Sequence, residues 1–382
     1  MSFERALIAR QKIARQTPGC SPLSRRNFLG TIAGAGISLV LAGEQISAQN
    51  GAPPRRIDVH HHFVPDSYLA FATAHMSAVA RAMQWTLAAD LADMDQSGTA
   101  TAILSITTPG FDFATTEEAR KAVRECNEAA AKLSSDHPGR FGSFAAVPLK
   151  DTEGSLNEIA YALDTLKADG IGVFSSYADK WLGHASFAPV YEELNRRKAV
   201  VFVHPATPAC CANLNLIQDG VPNEGPMIEF GTDTTRTIAS LLFSGTTRRF
   251  PDITWIFSHG GGVMPYLIER FFQSGTSAEV VPGIVTKGQD FPPAKNILSG
   301  EDLLRELRKM YYDTAQSSNP VAMGALRKVV PVSQIVYGTD YWYRTSAETH
   351  RALEAAKIFT AQELRAVDRT NAERILPRYR AA

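Results

Sequence analysis

The chain has 382 residues, of which 45% are hydrophobic, and its 39 Lys and Arg residues balance 39 Asp and Glu residues. That composition supports a folded protein with one large core or two modest ones. Zero formal net charge and the lack of basic blocks argue against a nucleic-acid partner and favour a small or neutral substrate. The cysteines show no CxxC spacing, so neither a zinc ribbon nor a thioredoxin-type redox site is indicated.

The first 48 residues are typical of a twin-arginine export signal. The stretch SRRNFLG at 24–30 precedes the apolar run TIAGAGISLVLAG at 31–43, and ISA at 46–48 is a candidate cleavage site. The apolar run is too short and too rich in glycine for a stable membrane span. We therefore predict transient contact with the twin-arginine machinery, a periplasmic location, and one mature domain at 49–382.

Eight β-rich stretches alternate with helical patterns through this domain. They cover 55–63, 99–107, 141–148, 170–177, 199–205, 254–260, 310–316 and 334–341. Parallel strands need helical crossovers, so the pattern predicts a closed (β/α)₈ TIM barrel of the α/β class. An open doubly wound sheet is the alternative, but no GxGxxG follows the first strand. The long connections at 206–232 and 271–300 are typical of lids or interface loops.

The first stretch contains three consecutive histidines, in the segment RRIDVHHHFVP. Because side chains alternate along a strand, His60 and His62 share one face and His61 points to the other. If the shared face is the barrel interior, His61 lies against the surrounding helices and is structural.

Other candidate ligands end later predicted strands. His204 ends the fifth, His259 the sixth and Asp340 the eighth. Barrel enzymes place their active sites at the carboxyl ends of their strands, so these groups are expected to converge with His60 and His62. Imidazoles with a single carboxylate suit a divalent transition metal, zinc first and manganese second. The fourth stretch, GIGVFSSY, lacks the lysine that bridges binuclear sites, which favours one metal ion.

The motifs at the predicted strand ends follow one another in an order typical of a known enzyme family. The sequence resembles the amidohydrolase-related metal-dependent decarboxylases in five motifs: HxH on the first strand, HP after the fifth, SHGGG on the sixth, GTDY on the eighth and a terminal NAERIL. That family includes the aminocarboxymuconate semialdehyde and resorcylate decarboxylases. The resemblance covers 55–378, and IDVHHHF, ILSITTPG, HPGRFGSFAAVP and DTTRTIASLLFSG look closest to 6-methylsalicylate decarboxylase-like members.

The resemblance implies a set of roles. His60, His62, His204 and Asp340 would hold one divalent metal ion, with His259 beside it as a catalytic group. The implied reaction is non-oxidative decarboxylation of a hydroxylated aromatic acid, whose carboxylate and ortho hydroxyl chelate the metal. Asp340 or His259 would then protonate the ring carbon. A homodimer is expected.

Two other functions remain open at this point. One is a hydrolase of an ester, lactone or amide, in which His259 activates metal-bound hydroxide. The other is a periplasmic binding protein that kept the barrel without turnover. Fold alone does not separate these classes.

Three further residues are candidates for substrate binding. Arg236 can hold a carboxylate bidentately or can be an ion-paired helix residue. Trp342, in GTDYWYRT, can stack on an aromatic ring or pack under a lid. Phe111, in TPGFDF, is expected to narrow the pocket.

Overall fold

The computed structural model describes residues 56–80, 83–210, 225–276 and 298–380. The predicted export signal and most of the two long connections lie outside these ranges. No helix in the described ranges combines the length and the apolar character needed to cross a bilayer.

Seven parallel strands form one sheet in chain order. Their bounds are Arg56–His62 (β1), Thr99–Ser105 (β2), Phe141–Ala146 (β3), Gly170–Phe174 (β4), Val200–His204 (β5), Thr254–Phe257 (β6) and Tyr311–Tyr312 (β7). The α-helices cover Asp66–Ala80 (α1), Leu87–Ser97 (α2), Thr116–Asp136 (α3), Thr152–Ala160 (α4), Ala188–Arg196 (α5), Gly225–Phe243 (α6), Thr246–Arg249 (α7), Ile268–Thr276 (α8), Gly300–Leu307 (α9), Pro320–Val329 (α10), Ser346–Ala356 (α11), Ala361–Arg365 (α12) and Asn371–Ile375 (α13). The predicted barrel class is confirmed.

The segment 335–341 closes the ring between β7 and β1. Parallel bridges join Ile335 to Tyr312 on one side and Tyr341 to His61 on the other. The prediction of a regular eighth strand over 334–341 is therefore wrong in detail. The segment makes isolated bridges rather than a continuous ladder, and Asp340, next to the bridged Tyr341, has its backbone in the left-handed region with φ of +65°.

Each of the other predicted strands is also shorter than expected, as the fourth and the seventh illustrate. The fourth ends at Phe174 and is followed by a small antiparallel hairpin of Ser176–Tyr177 with Lys180–Trp181. The seventh is reduced to Tyr311–Tyr312, and the chain turns away before Gln316, whose φ is +52°.

Apolar side chains cover both faces of the sheet, as a parallel sheet enclosed by helices requires. A buried cluster from successive strands, including Ile103, Phe144, Phe202 and Ile256, fills the barrel interior. The larger cluster between strands and helices contains Val201, Val203 and Phe257, the alternate residues of the same strands. The packed interior leaves the carboxyl ends of the strands as the place for polar groups.

Candidate metal centre and active site

Four of the predicted residues meet at the carboxyl end of the barrel. The ligand atoms of His60, His62, His204 and Asp340 all lie within 4.8 Å of one another, and all four residues are buried. His60 and His62 project inward from β1, and His204 ends β5, four strands further along the sheet. The alternation of side chains along β1 thus places the two outer histidines at one centre.

The spacing of these atoms fits a bound cation. The Nε2 atom of His60 lies 3.1 Å from that of His62, and the two Nε2 atoms lie 3.3 and 3.0 Å from Asp340 Oδ1. Two ligands that are each about 2.1 Å from one metal ion lie roughly 3.0–3.4 Å apart in octahedral or tetrahedral geometry. Asp340 Oδ1 is buried and accepts no hydrogen bond among the described residues. A cation would satisfy this oxygen, and the donor set suits a divalent transition metal.

Oxygen atoms of the protein accept hydrogen bonds from Nδ1 of His60, His62 and His204, the ring nitrogen that points away from the centre. His62 Nδ1 lies 3.3 Å from the carbonyl oxygen of Ser105, and His204 Nδ1 lies 2.8 Å from that of Pro205. A carbonyl oxygen can only accept, so Nδ1 carries the hydrogen and Nε2 keeps its lone pair. His60 Nδ1 is held in the same way, 2.6 Å from Asp313 Oδ2. Such outer contacts orient imidazoles toward a metal.

The surroundings change the pKa of each histidine. Burial, reinforced by the neighbouring imidazoles, lowers the pKa of His204 well below its usual value, and burial also lowers that of His62. Both rings are therefore neutral and able to coordinate a metal. Burial opposes the charge on His60 too, but Asp340 and Asp313 outweigh it and raise its pKa to about 10. A cation bound at Nε2 would replace a proton there.

His61 lies on the opposite face of β1, as predicted. Its Nδ1 is 2.9 Å from Asp58 Oδ2, its Nε2 is 2.8 Å from Asp90 Oδ1 on α2, and its ring stacks on Tyr341. Despite burial, Asp90 and Asp58 raise the pKa of His61 to about 10, so the ring is an imidazolium between two carboxylates. This network joins α2 to β1. Asp58 also accepts from the backbone N–H and the hydroxyl of Thr339, which precedes Asp340.

His259 lies beside the four candidate ligands. Its Nε2 is 3.2 Å from Asp340 Oδ2, and the same oxygen accepts a 3.0 Å hydrogen bond from Gln316 Nε2. The following residues of the SHGGG motif, Gly260 to Gly262, all have positive φ, which glycine adopts without steric cost. This turn carries His259 over the end of the barrel. Asp340 therefore presents Oδ1 to His60 and His62 and Oδ2 to His259 and Gln316.

A cavity of about 620 Å³ opens over this centre. His204, His259, Asp340 and Gln316 form its polar floor, and Phe230 and Tyr343 are among its apolar walls. The volume lies in the ordinary range for a small-molecule site. The arrangement can therefore hold a small aromatic molecule against a metal ion and beside the His259–Asp340 pair.

The three predicted substrate-binding residues do not line this cavity. Arg236 lies 3.2 Å from Glu229 on the same helix and is about a third exposed (38% of its side chain). Trp342 stacks on Tyr343 with ring centroids 5.0 Å apart, and its own ring lies 6.3 Å from that of His62. Phe111 lines a different cavity, described below. The hydrogen-bonded contacts of Arg236 agree with the ion-paired alternative, and roles for Trp342 and Phe111 stay predictions.

The sequence reasoning did not single out three residues of the site, Asp313, Gln316 and Phe230, whereas Tyr343 lies in the aromatic segment GTDYWYRT that it named. Asp313 holds His60 and also accepts a 3.1 Å hydrogen bond from Gly260 N. It directly follows β7, so the rule that found His204 and Asp340 also points to it. Gln316, Phe230 and Tyr343 line the cavity from loops and a helix, where no periodic signal marks them.

Residues 57–378 match the family described as Amidohydrolase. Since the match covers well over half of the chain, the protein belongs to the amidohydrolase family. Decarboxylase yanB of Aspergillus niger is 37% identical over 340 residues, covering 85% of this chain and 88% of the relative. The 6-methylsalicylic acid decarboxylase acuB of Aspergillus aculeatus is 39% identical over 297 residues, covering 75% and 84%. The predictions of a decarboxylase-related family and of a lyase are confirmed.

A solved structure supports the fold at lower identity. The 5-carboxyvanillate decarboxylase of Novosphingobium aromaticivorans, complexed with manganese and 4-hydroxy-3-methoxy-5-nitrobenzoic acid, has a TM-score of 0.69 at 22% identity. The match covers 85% of this chain and 96% of that one.

Proposed function

We propose that the protein is a metal-dependent, non-oxidative decarboxylase of a hydroxylated aromatic carboxylic acid, of the 6-methylsalicylate or resorcylate type. The observation that carries the proposal is the convergence of one ligand atom each from His60, His62, His204 and Asp340, of which His204 and Asp340 also line the cavity. The names of the relatives support the substrate class.

Bound there, a divalent cation would supply a Lewis acid that the substrate carboxylate and its ortho hydroxyl can chelate. The protein's own residues provide the rest. His60, His62, His204 and Asp340 would hold the ion, and the aromatic walls of the cavity offer faces for the substrate ring. Arg236 can bind the substrate carboxylate only if its side chain breaks the ion pair with Glu229.

Loss of carbon dioxide requires that the ring carbon bearing the carboxylate first gain a proton. In the proposal, Asp340 Oδ2 delivers this proton and His259 Nε2, 3.2 Å away, resupplies it. The carbon–carbon bond then breaks, and its electron pair restores the aromatic ring as carbon dioxide leaves. Gln316 keeps Asp340 Oδ2 turned toward His259 throughout.

The proposed cofactor is one divalent ion per chain, zinc first and manganese second. Three imidazoles and one carboxylate suit either metal, and manganese is present in a structural neighbour. Elemental analysis of the purified protein, followed by reconstitution with each metal, would decide between them.

The test of the activity is a substrate panel. Metal-loaded protein is incubated with salicylate, 6-methylsalicylate and resorcylates, and carbon dioxide release is measured against metal-free protein and His259→Ala. We expect release that depends on both metal and His259. Cleavage of esters, lactones or amides without carbon dioxide release would contradict the decarboxylase and favour the hydrolase.

We also propose export by the twin-arginine route to the periplasm and assembly as a homodimer. The sequence SRRNFLG supports the export route. Conversion of Arg25 and Arg26 to lysine should leave the protein in the cytoplasmic fraction. Light scattering on the exported protein would give its mass in solution.

A further inference from the structure

A second cavity of about 230 Å³ is lined by residues of β3 and β4 and of the segment that follows β2. Its lining combines an apolar part, which includes Phe111, Ala114, Ala146, Gly172, Phe174 and Tyr177, with the polar side chains of Asp112, Thr115, Thr116, Lys150 and Asp151. The volume is below the range of whole small-molecule sites, so the cavity suits a substituent of a ligand rather than a complete ligand.

A narrow internal space separates this cavity from the metal cavity. His204 lines both the internal space and the metal cavity, while Phe174 and Gly172 line both the internal space and the second cavity. The Phe174 ring therefore lies between the metal ligands and the second cavity.

The register of the sheet explains this position. Phe174 pairs with His204 across β4 and β5, and Gly172 pairs with Phe202, whose ring packs on His60. Residues paired in parallel strands share a face, so Phe174 points inward at the level of the metal centre. Its ring centroid lies 6.1 Å from that of His204. Below it, Gly172 has no side chain, which leaves the second cavity open.

The Phe174 ring is held in place from two directions. Gly110, with φ of +69°, packs directly on the ring, and a Cβ atom there would collide with it. On another side, the Tyr177 ring lies edge-on to it with ring centroids 6.3 Å apart, and the Tyr177 hydroxyl accepts a 2.9 Å hydrogen bond from the Phe174 backbone N–H. These contacts restrict the position of the Phe174 ring.

We infer that Phe174 determines specificity, because its ring keeps apolar ring substituents longer than methyl out of the second cavity. The inference rests on the proposed function, since it concerns the aromatic acids bound at the metal centre. Removal of the ring would join the two cavities and admit an alkyl chain. The protein in its natural form then selects acids with small substituents.

The test compares ligands with a methyl or a pentyl group at ring positions 4, 5 and 6 of salicylate. Dissociation constants are measured by calorimetry on metal-loaded wild type, Phe174→Ala and the double variant Phe174→Ala/Ala114→Phe. Phe174→Ala should improve the affinity for at least one pentyl compound, relative to its methyl counterpart, by about tenfold or more. Because Ala114 lines the second cavity but neither the internal space nor the metal cavity, the added phenylalanine in the double variant should abolish that gain.

Three controls separate this effect from a general loosening of the site. Phe230→Ala removes the same side chain from the metal cavity alone, so Ala114→Phe should not reverse any change that it causes. Bound metal is measured in every protein, and Phe174→Leu, which disturbs His204 less, should give a smaller gain in the same direction. An unchanged pentyl-to-methyl ratio, or a gain that survives Ala114→Phe, would overturn the inference. If wild type releases no carbon dioxide from the methyl compounds, the proposed function fails, while the ratio of affinities still decides the role of Phe174.

Discussion

Asp313→Asn tests whether the outer contacts of the metal centre set its affinity. In wild type, one carboxylate oxygen accepts from His60 Nδ1 at 2.6 Å and the other from Gly260 N at 3.1 Å. Asparagine keeps the shape of the side chain but has only one accepting oxygen, so either His60 or Gly260 loses its partner. The remaining contact to His60 would also lack the negative charge.

The expected loss is about 10- to 100-fold in metal affinity, the usual effect of removing such a contact. This corresponds to about 1.4–2.7 kcal/mol. Competition with a chelator of known affinity measures it directly. Asp169→Asn is the matched control. Asp169, which directly precedes β4, is also a buried carboxylate, but it accepts hydrogen bonds from Arg378 and from Ser143 N of β3. Equal metal affinity in wild type and Asp313→Asn, or an equal loss in Asp169→Asn, would refute the reasoning.

Three further predictions concern the other groups of the site. His60→Gln should lose its metal, whereas His61→Gln should keep it but melt at a lower temperature, since two buried carboxylates lose their partner. Elemental analysis and thermal unfolding measure the two effects. Metal loss in His61→Gln would contradict the assignment of His60 as a ligand and His61 as a structural residue. His204→Ala should lose metal and turnover together, while His259→Ala should retain metal and lose turnover; an empty site in His259→Ala would make it a ligand. Gln316→Leu removes one donor to Asp340 Oδ2 and should lower kcat about tenfold with bound metal unchanged. Steady-state kinetics and metal analysis test this, and a change in KM alone would contradict it.

The barrel was predictable because two periodic signals agree along the chain. Apolar stretches of strand length alternate with capped helical patterns, and each predicted strand overlaps a strand or a bridged segment of the ring. The ends of strands were not predictable in the same way. They depend on single backbone conformations, such as positive φ at Asp340 and Gln316, that neither composition nor periodicity encodes.

The candidate ligands followed from the position of polar residues at strand ends. What the sequence could not supply was the set of partners that orient them. The His60–Asp313 contact joins residues 253 positions apart, and the walls of the cavity come from loops and from α6. Arg236 could have been placed more firmly, because Glu229 lies two helical turns earlier on the same face and offers it an ion pair.

The closing segment at 335–341 couples metal binding to the folding of the complete barrel. Asp58 near the start of β1 and Thr339 beside Asp340 are hydrogen-bonded although they are 281 residues apart along the chain. A cation held by both His60 and Asp340 therefore binds only after the two ends of the barrel have met. Each decade of free metal above the dissociation constant would add about 1.4 kcal/mol to the stability of the closed ring. Chelation would thus lower the free energy needed to open the seam between the first strand and the closing segment, and the earliest protease cleavage of the apoprotein should fall there.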